Sequence, residues 1–220
     1  WAATMTVAVS LSAFGVGIVF GIFGCWAKLS HSVVARSAAT VYTTVLRGVP
    51  DLLVIYLLYF GGSQAIGALA RALGHQGFFG LNGFVVGMMA VGIISGAYQT
   101  EVLRGAYLAI PKGELEAARV AGMGRLLMLR RIIAPQILRF ALPGMGNVWQ
   151  LILKESALIS VVGLIEIMNQ TRLAVGRTGA AFSFYITGAI LFLLITTFSG
   201  AAFRKAEAWA MRGMAGRVRA

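Results

Sequence analysis

Charged residues are scarce in this chain, and acidic ones are the scarcest of all. Only 12% of the 220 residues are charged, and 7 of these are Asp or Glu. A soluble globular domain has about 25% charged residues. At half that fraction there is too little polar surface to cover a water-soluble globule, so the composition indicates an integral membrane protein.

Cysteine, histidine and phosphate-binding motifs are equally sparse. Cys25 is the single cysteine, which excludes a disulfide within the chain. His31 and His75 lie far apart without a Cys or His partner at ligand spacing, so we predict no metal site. The sequence has no Gly-Lys pair and hence no P-loop. We therefore predict a chain that is not an enzyme, has no catalytic residues and cannot itself be an ATPase.

Apolar residues form runs of roughly 20, the length with which a helix crosses the hydrocarbon core of a bilayer. We predict an all-α membrane protein with five transmembrane helices, in a single domain over residues 1–220. The second run is broken around Arg47 to Asp51, and the fourth is interrupted by Pro135 and Pro143. The five runs cover approximately residues 4–26, 38–60, 81–103, 132–153 and 182–203.

The formal net charge of +12 comes from basic residues between the apolar runs. This placement favours membrane topology over nucleic-acid binding, and we expect lipid but no nucleic acid as a partner. By the positive-inside rule, the N-terminus is predicted to be outside and the C-terminus cytoplasmic. The predicted cytoplasmic side carries Lys28, Arg36, Lys112, Arg119, Arg125, Arg130, Arg131, Arg204, Lys205, Arg212, Arg217 and Arg219, and the other side only Arg71, Arg172 and Arg177.

Glycines four residues apart recur within the apolar runs. This spacing lets helices approach closely. We interpret the pairs as helix packing within the chain rather than as a dedicated dimer motif. They are Gly17 and Gly21, Gly83 and Gly87, and Gly92 and Gly96.

A charged stretch at about residues 110–131 separates the third and fourth runs. Pro111 and Gly113 break the preceding helix. Residues 114–121 are good helix formers with acids early, and Gly122 suits a helix C-terminus. The sequence thus predicts a short cytoplasmic helix whose small residues allow another protein to pack closely. An ordinary solvated connecting helix is the alternative.

The order of residues in this stretch also follows a recognisable motif. Glu116-Ala117-Ala118, then Gly122, Ile132 and Pro135, resemble the EAA motif of ABC importer permeases, with Ala134 in place of the usual Leu. The resemblance implies a coupling helix that docks in a groove of a cytoplasmic ATPase. The residues that it assigns to this contact are Lys112, Gly113, Glu116, Ala117, Ala118 and Gly122.

Segments 42–52, 96–106 and 141–158 extend the resemblance to the polar amino acid permeases. It is closest to the Q-type subunits of histidine, lysine–arginine–ornithine and octopine–nopaline systems. It implies the type I ABC importer fold, the bacterial inner membrane, and ATP-driven import of polar, in particular basic, amino acids. The implied partners are an ABC ATPase dimer, a second permease (an M-type paralogue or an identical copy) and a periplasmic binding protein. No cofactor is expected in this chain, because ATP and Mg belong to the ATPase.

Ionisable groups at membrane depth usually line a cavity or pair with each other. Arg47 and Asp51 could share a helix face, either as a structural pair beside a proline kink or as ligand contacts. Glu101 could pair with Arg104 or Arg47, or accept a cationic substrate. The substrate-binding candidates are Arg47, Asp51, Tyr98, Glu101, Gln150, Lys154 and Glu155, of which Tyr98 and Gln150 could simply pack, and Lys154 and Glu155 could form an interfacial charge pair.

Alternating access is the mechanism that the coupling helix suggests, with the helices rocking as the ATPase closes. One alternative is an ATP-independent secondary transporter or channel, with Glu101 or Glu155 as a proton or sodium relay. A second alternative is a membrane scaffold that transports nothing. That reading gives no reason for Arg47, Asp51 and Glu155 to lie within lipid.

Overall fold

The computed structural model describes residues 1–72 and 82–211, and within them the chain is helical without strands. Two π-helical turns, Leu57–Gly61 and Leu129–Ile133, and a 3₁₀ helix, Ser156–Val162, interrupt the α-helices. The α-helices are α1 (Ala2–Leu29), α2 (Val33–Gly48), α3 (Asp51–Tyr56), α4 (Gly62–Ala72), α5 (Gly83–Leu108), α6 (Lys112–Val120), α7 (Arg125–Met128), α8 (Ala134–Glu155), α9 (Ile167–Thr178) and α10 (Ala181–Ala210).

Three of the described helices, α1, α5 and α10, are long and apolar enough to cross a membrane. A fourth crossing results if α2 and the bent segment Asp51–Ala65 together form one span. The fourth predicted run corresponds to α8, which has 22 residues and a length of about 33 Å. Its polar residues, among them Arg139, Lys154 and Glu155, keep it below the apolarity of the others.

The glycine pairs pack helices together within the chain, as predicted. On α1, Gly17 and Gly21 lie against Gln99 of α5, and a Cβ at Gly21 would lie 2.9 Å from the Gln99 Cβ. On α5, a Cβ at Gly92 would lie 2.6 Å from Val16 Cγ1. Gly-mediated contact therefore joins α1 and α5 along much of their length. These two helices form the centre of the bundle.

Gly21→Ala is expected to destabilise the folded chain, whereas Gly15→Ala on the same helix is not. Alanine favours a helix at both positions. At Gly21, however, the new methyl would also lie 3.3 Å from the Gln99 carbonyl carbon, which cannot move as a flexible side chain can. Overpacking of this kind costs about 1–3 kcal/mol. Thermal unfolding in detergent measures the difference, and equal unfolding temperatures would contradict the tight packing.

An aromatic cluster links α1, α8 and α10. The Phe14 ring meets the Trp149 ring edge-on, with centroids 5.7 Å apart, and Phe203 lies 6.2 Å from Phe14. Most of α10 is otherwise exposed in the isolated chain. The core beside this cluster is aliphatic and includes Val9 and Ile152, which are fully buried.

The second predicted span is sharply bent. Pro50 disfavours a helical conformation for the residue before it. Val49 is accordingly extended (φ −94°, ψ 139°), which ends α2 at Gly48. The next helix begins at Asp51, and the two segments meet at 110°. The expectation that Arg47 and Asp51 share a helix face is therefore wrong.

Other boundaries differ less. Helix α5 continues to Leu108, so Glu101 lies within it rather than at its end. Helix α8 runs without a break because Pro135 lies in its first turn, although Pro143 lies in its interior. The semi-polar segment after α8 is mostly helical, which its composition did not indicate. The predictions that concern His75, Arg212, Arg217 and Arg219 lie outside the described residues.

Candidate functional site

Glu101 holds two cations at one end of the α1–α5 pair. Its carboxylate accepts hydrogen bonds from Lys28 Nζ, at the end of α1, and from Arg104 Nε, which lies 2.9 Å from Glu101 Oε2. The predicted pairing with Arg104 is confirmed, and a pairing with Arg47 is not observed within the described residues. Lys28 was not recognised from the sequence, because it lies 73 residues from Glu101.

Arg47 lies over the face of Tyr98 instead. Its Cζ atom is 5.3 Å from the ring centroid, a distance typical of a cation–π contact. The Tyr42 hydroxyl, one turn earlier on α2, donates a 2.7 Å hydrogen bond to the Ile93 carbonyl. This bond fixes α2 against α5. The last turn of α2 thus presents Arg47 to a cavity of about 600 Å³ beside Lys28 and Arg104.

Glu155 is the most unusual group in the described part of the chain. It ends α8, it is only 4% exposed, and neither carboxylate oxygen accepts a hydrogen bond from a basic, amide or hydroxyl group there. Among the ionisable side chains, the carboxyl group of Asp51, at the start of α3, acts on it most strongly. A buried carboxylate beside another acid is costly unless a cation compensates it.

Lys154 does not compensate this pair. Its side chain is exposed, and it forms no ion pair with Glu155 in the described structure, so the predicted interfacial pair is absent. Lys154 lines a smaller cavity of about 330 Å³ together with Gln150 and Tyr98. The Tyr98 ring borders both cavities, and the charges of Arg47, Asp51 and Glu155 act on the Tyr98 side chain. The seven candidates are thus brought into one region around Tyr98.

The predicted short helix of the charged loop is present as α6. Gly122 has a φ of +74°, and its N–H donates to the Arg119 carbonyl. The Met123 N–H donates to the Ala118 carbonyl, which completes a Schellman motif. The helix begins at Lys112, earlier than predicted, because Pro111 supplies its N-cap backbone.

Small residues of α6 lie beside the start of α8. Ala117 and Ala118 border a cavity of about 500 Å³ that also contacts Pro135. The Gln136 amide donates to the Glu114 carboxylate and ties the two helices together. The opposite side, with Lys112 and Glu116, is exposed. The helix is therefore anchored at one face and open at the other.

Several transport system permease proteins are similar in sequence to almost the whole chain. It is 57% identical over 213 residues to the octopine transport system permease protein OccQ of Rhizobium radiobacter, covering 97% of this chain and 90% of the relative. It is 39% identical over 197 residues to the histidine/lysine/arginine/ornithine transport system permease protein HisQ of Escherichia coli K12, covering 90% and 86%. These relatives give no support to an ATP-independent transporter.

Solved structures resemble the fold as well. A crystal structure of an amino acid ABC transporter with histidines has a TM-score of 0.77 and 29% identity, and the likeness covers 93% of this chain and 90% of that chain. The inward-facing MetNI methionine ABC transporter has a TM-score of 0.70 at 15% identity, covering 95% and 92%, which supports the fold alone. Residues 15–207 match the family described as binding-protein-dependent transport system inner membrane component. Together with the relatives, this match shows that the chain belongs to that family of inner-membrane permeases.

Proposed function

We propose that this permease carries basic amino acids and that Asp51 and Glu155 bind the cationic end of the substrate. The observation that carries the proposal is the carboxylate of Glu155, buried without a hydrogen-bond donor and close to a second acid. A guanidinium, ammonium or imidazolium group would supply the missing donors and charge. The names of the relatives, which include octopine and histidine/lysine/arginine/ornithine systems, support the same substrate class.

The arrangement in the membrane is part of the proposal. Five crossings result if α2 and α3 form one broken span and α8 another, in addition to α1, α5 and α10. The excess of basic residues around α6 supports a cytoplasmic position for that helix and a periplasmic N-terminus. Glu155, at the opposite end of α8 from α6, then lies towards the periplasm, where substrate arrives.

The exposed face of α6 supports a docking site for the ATPase. Lys112, Gly113 and Glu116 are accessible there, Ala117 is exposed at the edge of the cavity beside α8, and Gly122 fixes the end of the helix. Closure of an ATPase dimer would move α6 as a rigid lever and rock the spans between inward and outward states. A second permease, of M-type or identical, would complete the pathway, and a periplasmic binding protein would deliver the substrate. ATP and Mg would be bound by the ATPase.

Substrate-stimulated ATP hydrolysis tests this function. The chain is purified with its partner permease, ATPase and binding protein and reconstituted in liposomes. We expect arginine, lysine or histidine to stimulate hydrolysis at concentrations about tenfold or more below that of glutamine, because glutamine offers no cation to the acidic pair.

Equal stimulation by glutamine would contradict the substrate class. Uptake into ATP-free vesicles would contradict the ATP-driven mechanism and favour a secondary transporter. A chain that copurifies with no ATPase would contradict the docking role of α6.

A further inference from the structure

The cavity beside Arg47 has an excess of positive charge. Three cations, Lys28, Arg47 and Arg104, and one anion, Glu101, surround it, so its formal net charge is +2. Glu101 already accepts from Lys28 and Arg104. No carboxylate remains in this cavity for a further cation, and the field of the group attracts anions.

Arg47 is the cation of this group that has no acidic partner in the described residues. Its described contact is the face of the Tyr98 ring, which leaves the N–H groups of the guanidinium available. It lies in the last turn of α2 and lines the cavity. A planar guanidinium with free donors suits a carboxylate, which it can bind through two parallel hydrogen bonds.

Acidic and basic side chains both lie near Tyr98. The Tyr98 ring lies under Arg47 and borders the basic cavity, and the charges of Asp51 and Glu155 also act on it. A basic amino acid has the same separation of charge, with a cation at the end of its side chain and a carboxylate at its α-carbon. The distribution of charge in the site therefore matches the charge distribution of such a molecule in one orientation.

We propose that the cavity of Lys28, Arg47 and Arg104 binds the carboxylate of the transported amino acid, with Arg47 as its direct partner. This inference rests on the proposed function and deepens it, because it makes the carboxylate a second condition for recognition. The substrate lies with its side chain towards Glu155 and its carboxylate towards Arg47. Amines that have the same cation but no carboxylate are poor ligands.

The experiment must distinguish the proposal from two alternative explanations. Lys154 borders the smaller cavity near Tyr98 and could hold the carboxylate instead. A free anion such as inorganic phosphate could also occupy the basic cavity without any relation to the substrate. The experiment has to separate both rivals from the proposal, and it has to exclude the selectivity of the binding protein.

Equilibrium binding to the purified complex of permeases and ATPase, without binding protein, does this. Each basic amino acid is paired with its decarboxylated amine: arginine with agmatine, lysine with cadaverine, histidine with histamine. We expect the amino acid to bind at least about tenfold more tightly than its amine. Arg47→Gln should remove most of this preference by weakening the amino acid alone, and Arg47→Lys should restore part of it. Arg36→Gln, an equal change of charge at an exposed position of α2, is the matched control and should leave the preference intact.

Several results would overturn the proposal. Equal affinity of amino acid and amine in the wild type is one, and loss of the preference in Lys154→Gln but not in Arg47→Gln is another. Binding of inorganic phosphate that Arg47→Gln abolishes but that competes with neither amino acid nor amine would assign the cavity to a free anion. Retained amine binding shows that Arg47→Gln is folded; if it binds neither ligand, Arg104→Gln replaces it with the same expected loss of preference. Failure of the acidic site appears separately, as amine binding that Asp51→Asn does not weaken.

Discussion

Glu155→Gln is expected to reduce uptake of basic amino acids by about a hundredfold while raising the unfolding temperature of the chain. Loss of one partner of a buried charge contact costs roughly 2–5 kcal/mol of binding. In the free chain the same carboxylate is buried without a donor beside Asp51, so neutralising it relieves a desolvation cost. Transport assays in proteoliposomes and thermal unfolding in detergent measure the two effects. Opposite signs for function and stability distinguish a binding residue from a structural one.

Glu166→Gln is the matched control. Glu166 is fully buried, but its carboxylate accepts hydrogen bonds from the backbone N–H groups of Met168 and Asn169 and caps α9. Burial raises the pKa of Glu166, and these two N–H groups oppose the rise. Weakening such a cap costs about 1 kcal/mol, so this variant should lose stability without a change in substrate preference. If Glu155→Gln behaves in the same way as Glu166→Gln, the substrate role of Glu155 is wrong.

Gly122→Val is expected to abolish most ATP-driven uptake, by about tenfold or more, without preventing insertion in the membrane. Gly122 has a φ of +74°, which a β-branched residue adopts only with strain. Such strain costs about 1–3 kcal/mol and would unwind the end of α6. The measurement is uptake together with ATP hydrolysis, because an altered lever should leave hydrolysis in the partner while transport falls.

Two further variants serve as controls for Gly122→Val. Gly122→Asn should retain more uptake, because asparagine tolerates this backbone conformation better than valine. Gly124→Ala, at a position with negative φ and open space, should be silent. Unchanged uptake in Gly122→Val would show that the end of α6 does not transmit force. An equal loss in Gly122→Asn would indicate that the ATPase packs directly on this glycine.

Local patterns predicted the individual helices well. The apolar runs located α1, α5 and α10, and the proline, acidic and glycine positions located α6, because these signals act within a few residues. The identification as an amino acid ABC importer permease is confirmed by the relatives and the solved structure. The sequence alone supported it through the EAA-like motif that begins at Glu116 and through segments 42–52, 96–106 and 141–158.

Pairing between distant segments was beyond local patterns. Spacing along α2 suggested that Arg47 meets Asp51, but the bend at Pro50 sends them to different partners. The contact of Lys28 with Glu101 depends on how α1 packs against α5. A pattern of a few neighbouring residues carries no information about that packing. The capping role of Glu166 was also missed. Gly163, three residues earlier, was a sequence signal for a helix boundary there, and the structure gives it a φ of +86°.

The glycines of α1 also limit how this transporter can evolve. Gly17, Gly21 and Gly24 leave no room for a methyl group against α5, so substitutions there are expected to destabilise the bundle whatever substrate is carried. New specificity must therefore arise elsewhere, in the residues of α2, α3 and α8 that border the cavities. The chain thus has a tightly packed α1–α5 frame that tolerates few substitutions and a separate set of cavity-lining positions where substitutions can alter specificity without disturbing that frame.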